Sequence, residues 1–401
     1  MLTDAQVAAL RAATPGCTHR IHLNNAGAAL PTQRTVDTVV DHLTLEASIG
    51  GYEAAADAAE RLEQVRSSAA RLLGTSSDEV AVTASDTTAW TKAFWGFVLG
   101  GGLARRRRIV VDRAVYNSHH LAVLQAVRHL GVEVEVVGPG PDGPVDLAAL
   151  DALLGPSVGL VTVTHVPTHS GAVAPVREVG ALARRAGVPF FLDACQSVGQ
   201  LPVDLAEIGC DVATMTGRKW LRGPRGTGLL VTRSDFLDRL DPPGIDATSA
   251  AWSPDGNDYR LADGARRFEE FEGSVASRLG LGRAIDDLLV LGVDRVHARI
   301  GELAARLRTM IDRAPGLHST DEGSELSGIV TFSVEGCDAD RVADAAAAAG
   351  INVSVSRAEN SRIEFDRRGL DAVVRASPHA YNTTDELDRL VEVVADTARR
   401  G

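Results

Sequence analysis

One stretch of the sequence decides the fold: Met215-Thr216-Gly217-Arg218-Lys219-Trp220-Leu221-Arg222-Gly223-Pro224-Arg225-Gly226-Thr227-Gly228. Lys219 is one of very few lysines, and Thr216 and Arg218 stand just before it. Glycines and a proline then lead into the apolar run 229–231, which predicts a strand. The sequence therefore predicts that the lysine lies on a tight loop just before the start of a strand. Such an amine can be desolvated and act as a nucleophile towards an aldehyde, although most lysines are simply exposed.

A second stretch, Val188-Pro189-Phe190-Phe191-Leu192-Asp193-Ala194-Cys195-Gln196-Ser197-Val198-Gly199, lies one segment upstream. Its apolar run predicts a buried strand with Asp193 at the carboxyl end, where open α/β sheets bind ligands. A buried carboxylate needs a partner. In pyridoxal phosphate (PLP) enzymes the partner is the protonated ring nitrogen, and a lysine about one βα unit downstream holds the cofactor as a Schiff base.

Asp193 and Lys219 together resemble the fold-type I PLP enzymes, in particular the class V aminotransferase and cysteine desulfurase superfamily. The Asp-x-x-Gln and Thr-Gly-Arg-Lys patterns carry the resemblance, which extends over nearly the whole chain. It implies PLP as cofactor and Lys219 and Asp193 as catalytic residues. It also implies that Gln196 lies near the cofactor's phenolic oxygen.

Strands alternate with helices along most of the chain, which predicts an α/β fold with a mostly parallel sheet. The resemblance implies a large domain with a seven-stranded sheet and a smaller α+β C-terminal domain. We divide the chain into an N-terminal arm (1–25) that packs with the small domain, a large PLP-binding domain (26–290) and the small domain (291–401).

Composition narrows the class of protein. The chain has 401 residues, 45% of them hydrophobic, and no apolar run is long enough to span a bilayer. No secretory signal is visible, which predicts a cytoplasmic protein. A net charge of −12 argues against nucleic acid or anionic membrane as a partner. The four cysteines are scattered and fit neither a disulfide framework nor a metal site.

Hydroxyl residues at a predicted helix start form a candidate phosphate site. Ser85-Asp86-Thr87-Thr88 opens a helix, where free backbone amides and the dipole attract anions. Plain N-caps explain the same residues well. Because the superfamily binds the PLP phosphate here, the candidate ligands are Thr87, Thr88, Thr216 and Arg218.

Two further cofactor contacts follow from the resemblance. Relatives stack an aromatic or imidazole ring on the pyridine face at the loop that holds Tyr116, our first choice, and His119, the second. In relatives an Arg-Phe-Glu segment reaches across a dimer interface, and a nearby hydroxyl approaches the partner's phosphate. Ser274 is the possible counterpart here, so we expect a homodimer with sites at the interface.

Three residues are candidates for the substrate. Arg375 ends a predicted strand and could clasp a carboxylate through two parallel hydrogen bonds, as the superfamily's arginine does. A salt bridge to Asp366 or Asp371 is the alternative. Asn25, in the N-terminal loop, and Tyr52, in the region that lines the entrance in relatives, are weaker candidates.

The reaction is the hardest inference, because one PLP linkage supports several chemistries. Desulfuration needs a thiol on the loop before the carboxylate arginine, but the loop 356–360 has none and Thr168 replaces the desulfurases' asparagine. The chain most resembles ergothioneine-pathway C–S lyases and PLP enzymes of lincosamide assembly, which act on cysteine S-conjugates. We therefore predict β-elimination that releases a thiol, pyruvate and ammonia.

Several alternatives stay open. Decarboxylative oxidative deamination of the same conjugate shares the carboxylate contact. An aminotransferase or an enzyme resembling isopenicillin N epimerase is the nearest rival in chemistry. A non-catalytic PLP-binding regulator is a rival of another class. A Rossmann dehydrogenase is disfavoured because no Gly-x-Gly-x-x-Gly follows the first strand.

Overall fold

A computed structural model describes residues 1–141 and 143–400 of the chain. The α-helices of these residues are α1 (Asp4–Ala12), α2 (Gln33–Ile49), α3 (Gly51–Asp57), α4 (Ala59–Leu73), α5 (Asp86–Leu99), α6 (Asn117–Leu130), α7 (Leu147–Leu153), α8 (Val176–Ala186), α9 (Leu205–Ile208), α10 (Val275–Leu291), α11 (Val293–Arg313), α12 (Ala339–Ala348), α13 (Arg362–Arg368) and α14 (Thr384–Arg400). No helix in this part of the chain is both long and apolar enough to cross a membrane.

The strands of the same residues form sheets of seven, four, two and two strands. They are β1 (Ile21–His22), β2 (Val80–Thr83), β3 (Arg108–Asp112), β4 (Glu133–Val137), β5 (Val158–Thr164), β6 (Phe190–Asp193), β7 (Val212–Thr216), β8 (Gly228–Thr232), β9 (Ala250–Trp252), β10 (Tyr259–Leu261), β11 (Leu317–Ser319), β12 (Val330–Val334), β13 (Ile351–Asn352), β14 (Ser354–Arg357) and β15 (Ala372–Ala376).

The seven-stranded sheet has the order β2-β8-β7-β6-β5-β3-β4. All neighbours pair in parallel except β8, which runs antiparallel to both β2 and β7. This confirms the predicted α/β fold with a mostly parallel seven-stranded sheet. Strands buried on both faces are mostly apolar, and all residues of β5, β6 and β7 are buried.

Successive side chains of β6 enter different cores, as the period of a strand requires. Phe190 and Leu192 belong to the hydrophobic cluster that also contains Trp220, whereas Phe191 belongs to the cluster of Trp90 and the α5 aromatic residues. The sheet is therefore covered by an apolar layer on each face. Its polar groups are left at the strand ends.

The carboxyl edge of the sheet collects those polar groups. Asp112, Thr164, Asp193 and Thr216 are the last residues of β3, β5, β6 and β7, which lie side by side. The connection from β7 to the antiparallel β8 turns back at this same edge. This edge is therefore where we place the candidate site.

The small domain contains a four-stranded antiparallel sheet, β11-β12-β15-β14, with its own apolar core. The N-terminal segment joins it, because β1 pairs with β13 and Leu23 is buried in that core. Gly292 separates α10 from α11. We keep the division 1–25, 26–290 and 291–401 as a proposal, which these contacts support.

Candidate active site

The loop between β7 and β8 holds Lys219 in place. Gly217 N–H donates to Thr227 O at 2.9 Å, and Gly223 N–H donates to Gly217 O at 2.7 Å. A side chain at Gly217 would come within 2.2 Å of the Thr227 hydroxyl, so only glycine fits this approach. The loop also holds Arg222 at a φ of 62°, which L-residues rarely adopt. Lys219 is consequently 8% exposed, at the carboxyl edge and not on the surface.

Lys219 and Asp193 enter the same pocket from neighbouring strands. The lysine amine donates to the Cys195 thiol at 3.3 Å, and Cys195 N–H donates to Asp193 Oδ1 at 2.9 Å. Carboxylate and thiol atoms of Asp86, Asp193 and Cys195 lie within 4.8 Å of one another. The predicted lysine and carboxylate are therefore brought together, and Asp86 joins them.

Asp86 is a site residue that the sequence interpretation assigned to helix capping. Ser85 supplies the cap instead, because its hydroxyl accepts from Thr88 N–H at 3.1 Å. Asp86 is left free to point inward, where its Oδ2 lies 2.9 Å from His119 Nε2. The other ring nitrogen, Nδ1, lies 3.3 Å from Asp193 Oδ2. His119 thus lies between two carboxylates.

Burial and neighbouring charges set the ionisation of this cluster in opposite directions. Burial raises the pKa of Asp193 to about 6, against the favourable charge of His119. Burial also raises the pKa of Asp112, at the end of β3, to about 8. For Asp86 burial acts the same way, but the charge of His119 outweighs it and lowers its pKa. Burial lowers the pKa of His119, yet Asp86 and Asp193 outweigh this and raise it.

Gln196 is held rigidly beside the lysine loop. Its Nε2 donates to Ala26 O at 3.0 Å, and the Trp220 indole N–H donates to its Oε1 at 2.9 Å. Its Nε2 also lies 3.4 Å from the Thr168 hydroxyl. The amide is thereby fixed in orientation, and its contact with the cofactor's phenolic oxygen stays a prediction.

The four phosphate candidates occupy different settings. Thr87 is exposed at the start of α5, with its hydroxyl 3.1 Å from that of Ser118, whereas the Thr88 hydroxyl is 3.0 Å from Ser85. The Thr216 hydroxyl donates to Thr227 O at 3.3 Å, and Arg218 donates to Gly27 O. Thr87 is the most available of the four. The phosphate assignment remains a prediction for all of them.

Tyr116 and His119 were the two candidates for stacking on the pyridine ring. The His119 ring is already stacked on Trp90, with centroids 4.1 Å apart and 12° between planes, and it is 1% exposed. Tyr116 is half-buried, with its ring edge-on to His119 at 6.2 Å. This geometry supports Tyr116 as the stacking ring. His119 instead packs against Trp90 and lies between Asp86 and Asp193.

Arg375 reaches into the site from β15 of the small domain. It is 5% exposed, and its Nη1 donates to Thr168 O at 3.0 Å and to Thr168 Oγ1 at 2.7 Å. Its Nη2 donates to Asn24 Oδ1 at 3.2 Å. Burial lowers the pKa of Arg375 to about 10. No carboxylate of the described chain pairs with it, so the alternative of a salt bridge to Asp366 or Asp371 is not observed.

The two weaker substrate candidates lie in different settings. Asn25 is fully buried; its Nδ2 donates to Ser377 O at 2.7 Å, and its Oδ1 accepts from the Tyr381 hydroxyl. Its amide is bonded within the protein, whereas the neighbouring Asn24 contacts Arg375. Tyr52 is 78% exposed, and its ring lies 6.5 Å from that of Phe271. A contact of either residue with substrate stays a prediction.

Ser274 caps α10 on the surface, accepting from Ser277 N–H at 3.1 Å. The preceding Arg-Phe-Glu segment packs mainly within its own chain, because Phe268 is buried and Glu269 pairs with Arg66 at 3.0 Å. That this segment reaches across a dimer interface stays a prediction. The exposed residues 271–274 remain able to face a partner.

The residues of this pocket fit pyridoxal phosphate. Three of the thirteen buried side-chain polar atoms that have no hydrogen-bond partner among the described residues belong to this site: Asp86 Oδ1, His119 Nδ1 and Arg375 Nε. Such atoms are costly to leave unpaired, so a pocket that holds them is built for a polar ligand. Lys219 offers an amine for an aldehyde, Asp193 a carboxylate for a ring nitrogen, and the start of α5 a site for phosphate.

Comparisons with known proteins agree with this geometry. The protein-family model described as aminotransferase class-V matches residues 21–390. The chain is 29% identical over 378 residues to a probable cysteine desulfurase of Methanothermobacter thermautotrophicus, covering 93% of this chain and 92% of that protein. It is 31% identical over 386 residues to a probable hercynylcysteine sulfoxide lyase of Mycobacterium tuberculosis, covering 94% and 90%.

A solved structure has the same fold. The apo structure of a cysteine desulfurase from Thermococcus onnurineus superposes with a TM-score of 0.91 at 24% identity, covering 100% of this chain and 99% of that one. The family model spans most of the chain. The chain therefore belongs to the class-V aminotransferase family and is a pyridoxal phosphate-dependent enzyme.

Proposed function

We propose that the protein is a C–S lyase that cleaves the Cβ–S bond of a cysteine S-conjugate by β-elimination, in a sulfur-metabolite or lincosamide-like biosynthetic pathway. One substrate and one water give a thiol, pyruvate and ammonia. The observation that carries the proposal is a pocket that joins Lys219, Asp193 and Arg375 but offers no activated thiol. Bound PLP supplies the electron sink for the carbanion at Cα.

Each residue has a role that its position allows. Arg375 holds the α-carboxylate, because its guanidinium is buried, charged and bonded only to neutral oxygens within the described chain. Lys219, after displacement by the substrate amine, removes the Cα proton as general base. Asp193 keeps the cofactor's ring nitrogen protonated. The buried setting excludes water and strengthens these charge interactions.

A desulfurase needs a thiolate close to the substrate sulfur, and none of the four cysteines meets this need. Cys195 is the one in the pocket, but burial raises the pKa of its thiol well above the ordinary range, so it stays protonated and unreactive. On β14 the corresponding position is Ser356, whose hydroxyl donates to Thr168 O at 3.1 Å. Cys17 precedes β1, Cys210 lies between α9 and the start of β7, and Cys337 lies between β12 and α12.

The M. tuberculosis relative supports elimination as the outcome. Its name describes a lyase that acts on the sulfoxide of a cysteine conjugate, which is the same bond cleavage. A sulfoxide substrate would release a sulfenic acid in place of a thiol. We therefore include both oxidation states of sulfur in the test.

The test is product analysis of the PLP-loaded enzyme with S-alkyl cysteines and their sulfoxides. We expect pyruvate and ammonia in equal amounts, with one thiol or sulfenic acid per turnover. Carbon dioxide would indicate decarboxylative deamination. A keto acid that retains sulfur would indicate transamination, and a D-amino acid would indicate epimerisation.

Free cysteine provides the matched comparison. If the enzyme were a desulfurase, it would convert cysteine into alanine and a protein-bound persulfide, and Cys195→Ser would abolish this. We expect neither alanine nor a persulfide on Cys195. Alanine formation that depends on Cys195 would overturn the proposed function.

We also propose a homodimer with the cofactor sites at the interface. Three large apolar side chains, Val36, Val40 and Leu43, are solvent-exposed on one face of α2, at the spacing of a helical contact stripe. Ser274 lies on an exposed turn that could approach a partner's phosphate. Sedimentation equilibrium should give a dimer at assay concentration. A fully active monomer would contradict this proposal.

A further inference from the structure

The pocket contains two charged residues to which the proposed reaction gives no role, Asp86 and His119. His119 lies on the first turn of α6, and its Nε2 is 2.9 Å from Asp86 Oδ2. Its Nδ1 is 3.3 Å from Asp193 Oδ2. The three side chains therefore form a buried row from α5 through α6 to the end of β6.

The imidazole ring is fixed in this row. One face stacks on Trp90 at 4.1 Å, and the ring is 1% exposed, so no water competes for its nitrogens. Asp86 is held at the first position of α5, where the helix dipole favours an anion. Asp86 accepts from Nε2, which leaves Nδ1 directed at Asp193. The contact at Nδ1 is one of charge, since Nδ1 has no aligned acceptor among the described residues.

The charges of the row depend on one another. A buried imidazole can carry a proton only beside carboxylates, and Asp86 and Asp193 together raise the pKa of His119 despite burial. The other titratable groups in this cluster are Lys219, from the β7–β8 loop, and Asp112, at the end of β3. Bound PLP would engage the amine of Lys219. His119 would then be the side chain that supplies positive charge directly beside Asp193.

We propose that His119 and Asp86 are positioning residues that keep the Asp193 carboxylate ionised and aimed at the cofactor's ring nitrogen, with Asp86 acting through His119. His119 supplies the neighbouring positive charge. Asp86 supplies the partner that fixes the orientation and the charge of the imidazole. The inference rests on Asp193 binding the ring nitrogen, and it does not depend on which bond of the substrate is cleaved.

Cofactor affinity is the first test. We expect His119→Gln to weaken PLP binding to the apoenzyme roughly 10- to 100-fold, the range seen when a supporting partner of a ligand residue is removed. Asp86→Asn, of nearly the same shape, should weaken it about tenfold for the same reason. Asp112→Asn is the matched control. Its carboxyl has a pKa of about 8 and is neutral at pH 7, so affinity should stay the same.

The ring nitrogen itself gives a readout that a merely structural role would not move. With PLP labelled with ¹⁵N in the ring, the nitrogen signal of the native enzyme should report a protonated ring at pH 7. In His119→Gln and Asp86→Asn the signal should move towards the unprotonated form, but not in Asp112→Asn. An unchanged signal and affinity in both variants would overturn the proposal, as would an equal loss in Asp112→Asn.

One measurement needs no variant, so poor folding cannot hide the answer. With ¹⁵N-labelled histidine in the native apoenzyme, one buried imidazole should keep both protons at a pH at which the exposed histidines have lost one, because Asp86 and Asp193 raise the pKa of His119. A His119 that loses its proton together with the exposed histidines, or before them, would overturn the proposal. Because none of these readouts requires turnover, a failed search for C–S lyase activity would leave their outcomes intact.

Discussion

The two ends of the proposed active site compensate their charges in different ways. At the end formed by the large domain, the carboxylates of Asp86 and Asp193 face the cations His119 and Lys219. At the end formed by the small domain, Arg375 is bonded to the neutral oxygens of Thr168 and Asn24. At the first end, Asp193 can therefore pair with a ring nitrogen that carries a proton. At the second end, Arg375 has no anion as its partner among the described residues.

A second arginine of the small domain is bonded differently from Arg375. Arg308 Nε donates to Asp321 Oδ2 at 2.8 Å, and its Nη2 donates to backbone oxygens. Its charge is compensated inside the protein. A buried arginine without a carboxylate is costly, and a ligand carboxylate bound at Arg375 would offset that cost. We therefore propose that the substrate's carboxylate binds at Arg375 and not at Arg308.

Removal of Lys219 should have the largest effect, because the end that holds Asp86 and Asp193 then loses both the covalent anchor of the cofactor and the base. We expect Lys219→Ala to lose turnover by at least the 10²- to 10⁴-fold that a general base typically supplies. Borohydride treatment of the native enzyme should attach the cofactor to Lys219 and bleach its yellow absorbance. Lys92, the other lysine of the sequence, serves as the internal control and should stay unlabelled in peptide mass spectra. A reducible linkage of equal intensity in Lys219→Ala would sink the assignment.

Arg375→Lys should have the next largest effect, at the basic end. The charge remains but the two parallel hydrogen bonds are lost, which should cost roughly 2–5 kcal/mol. In kcat/KM for carboxylate-bearing substrates this is about thirty-fold to several thousand-fold. The decarboxylated amine analogue should lose much less, and the absorbance of the bound cofactor should barely change.

Arg308→Lys is the matched control for that experiment. Because Arg308 is compensated by Asp321, its replacement should lower stability without distinguishing the two substrates. Equal losses for both substrates in Arg375→Lys would make Arg375 structural. Arg375 and Arg308 would then not differ in function, and the account of the carboxylate site would be contradicted.

A smaller effect should appear in the pH dependence of stability. Burial, reinforced by Arg368 and Arg375, lowers the pKa of His169 to about 3. Below pH 6.5 the unfolded chain binds a proton there that the folded chain refuses, so stability falls as the pH falls from 6.5 towards 3. Between pH 7.5 and pH 5 this histidine should therefore cost the native state about 2 kcal/mol.

Urea unfolding of the apoenzyme checks this expectation. The difference in unfolding free energy between the native protein and His169→Gln should shift by that amount between the two pH values. His318→Gln, at an exposed position, is the control and should show no such shift. If His169→Gln also showed no shift, burial and the two neighbouring arginines would not keep a proton off His169, and this expectation would be contradicted.

Much of the large domain could be predicted from the sequence because its signals are local. The apolar run ending in Asp193 and the glycine-shaped loop of Lys219 each predict a strand end. Parallel strands then bring those ends to one edge. Arg375 was found in the same way, since β15 ends one residue after it.

Other features depend on contacts that no local pattern shows. Ser85 and Asp86 are both good N-caps, and only the fold decides that Ser85 caps while Asp86 points inward to His119. The side chains of Asn24 and Asn25 point in different directions: that of Asn24 contacts Arg375, and that of Asn25 is buried against Ser377. The sequence alone does not show which of the two neighbouring asparagines faces the arginine. The hairpin of β9 and β10 has three residues per strand, too few for a local pattern to predict it.

The most direct measurement is a crystal structure of the PLP-loaded enzyme with an unreactive S-alkyl cysteine analogue bound. The carboxylate at one end and the guanidinium at the other predict two contacts. The cofactor's ring nitrogen should lie within hydrogen-bond distance of Asp193, and the analogue's α-carboxylate should bind the guanidinium of Arg375. The phosphate should lie at the start of α5. A phosphate bound to Arg375, or a carboxylate bound elsewhere, would contradict this account of the site.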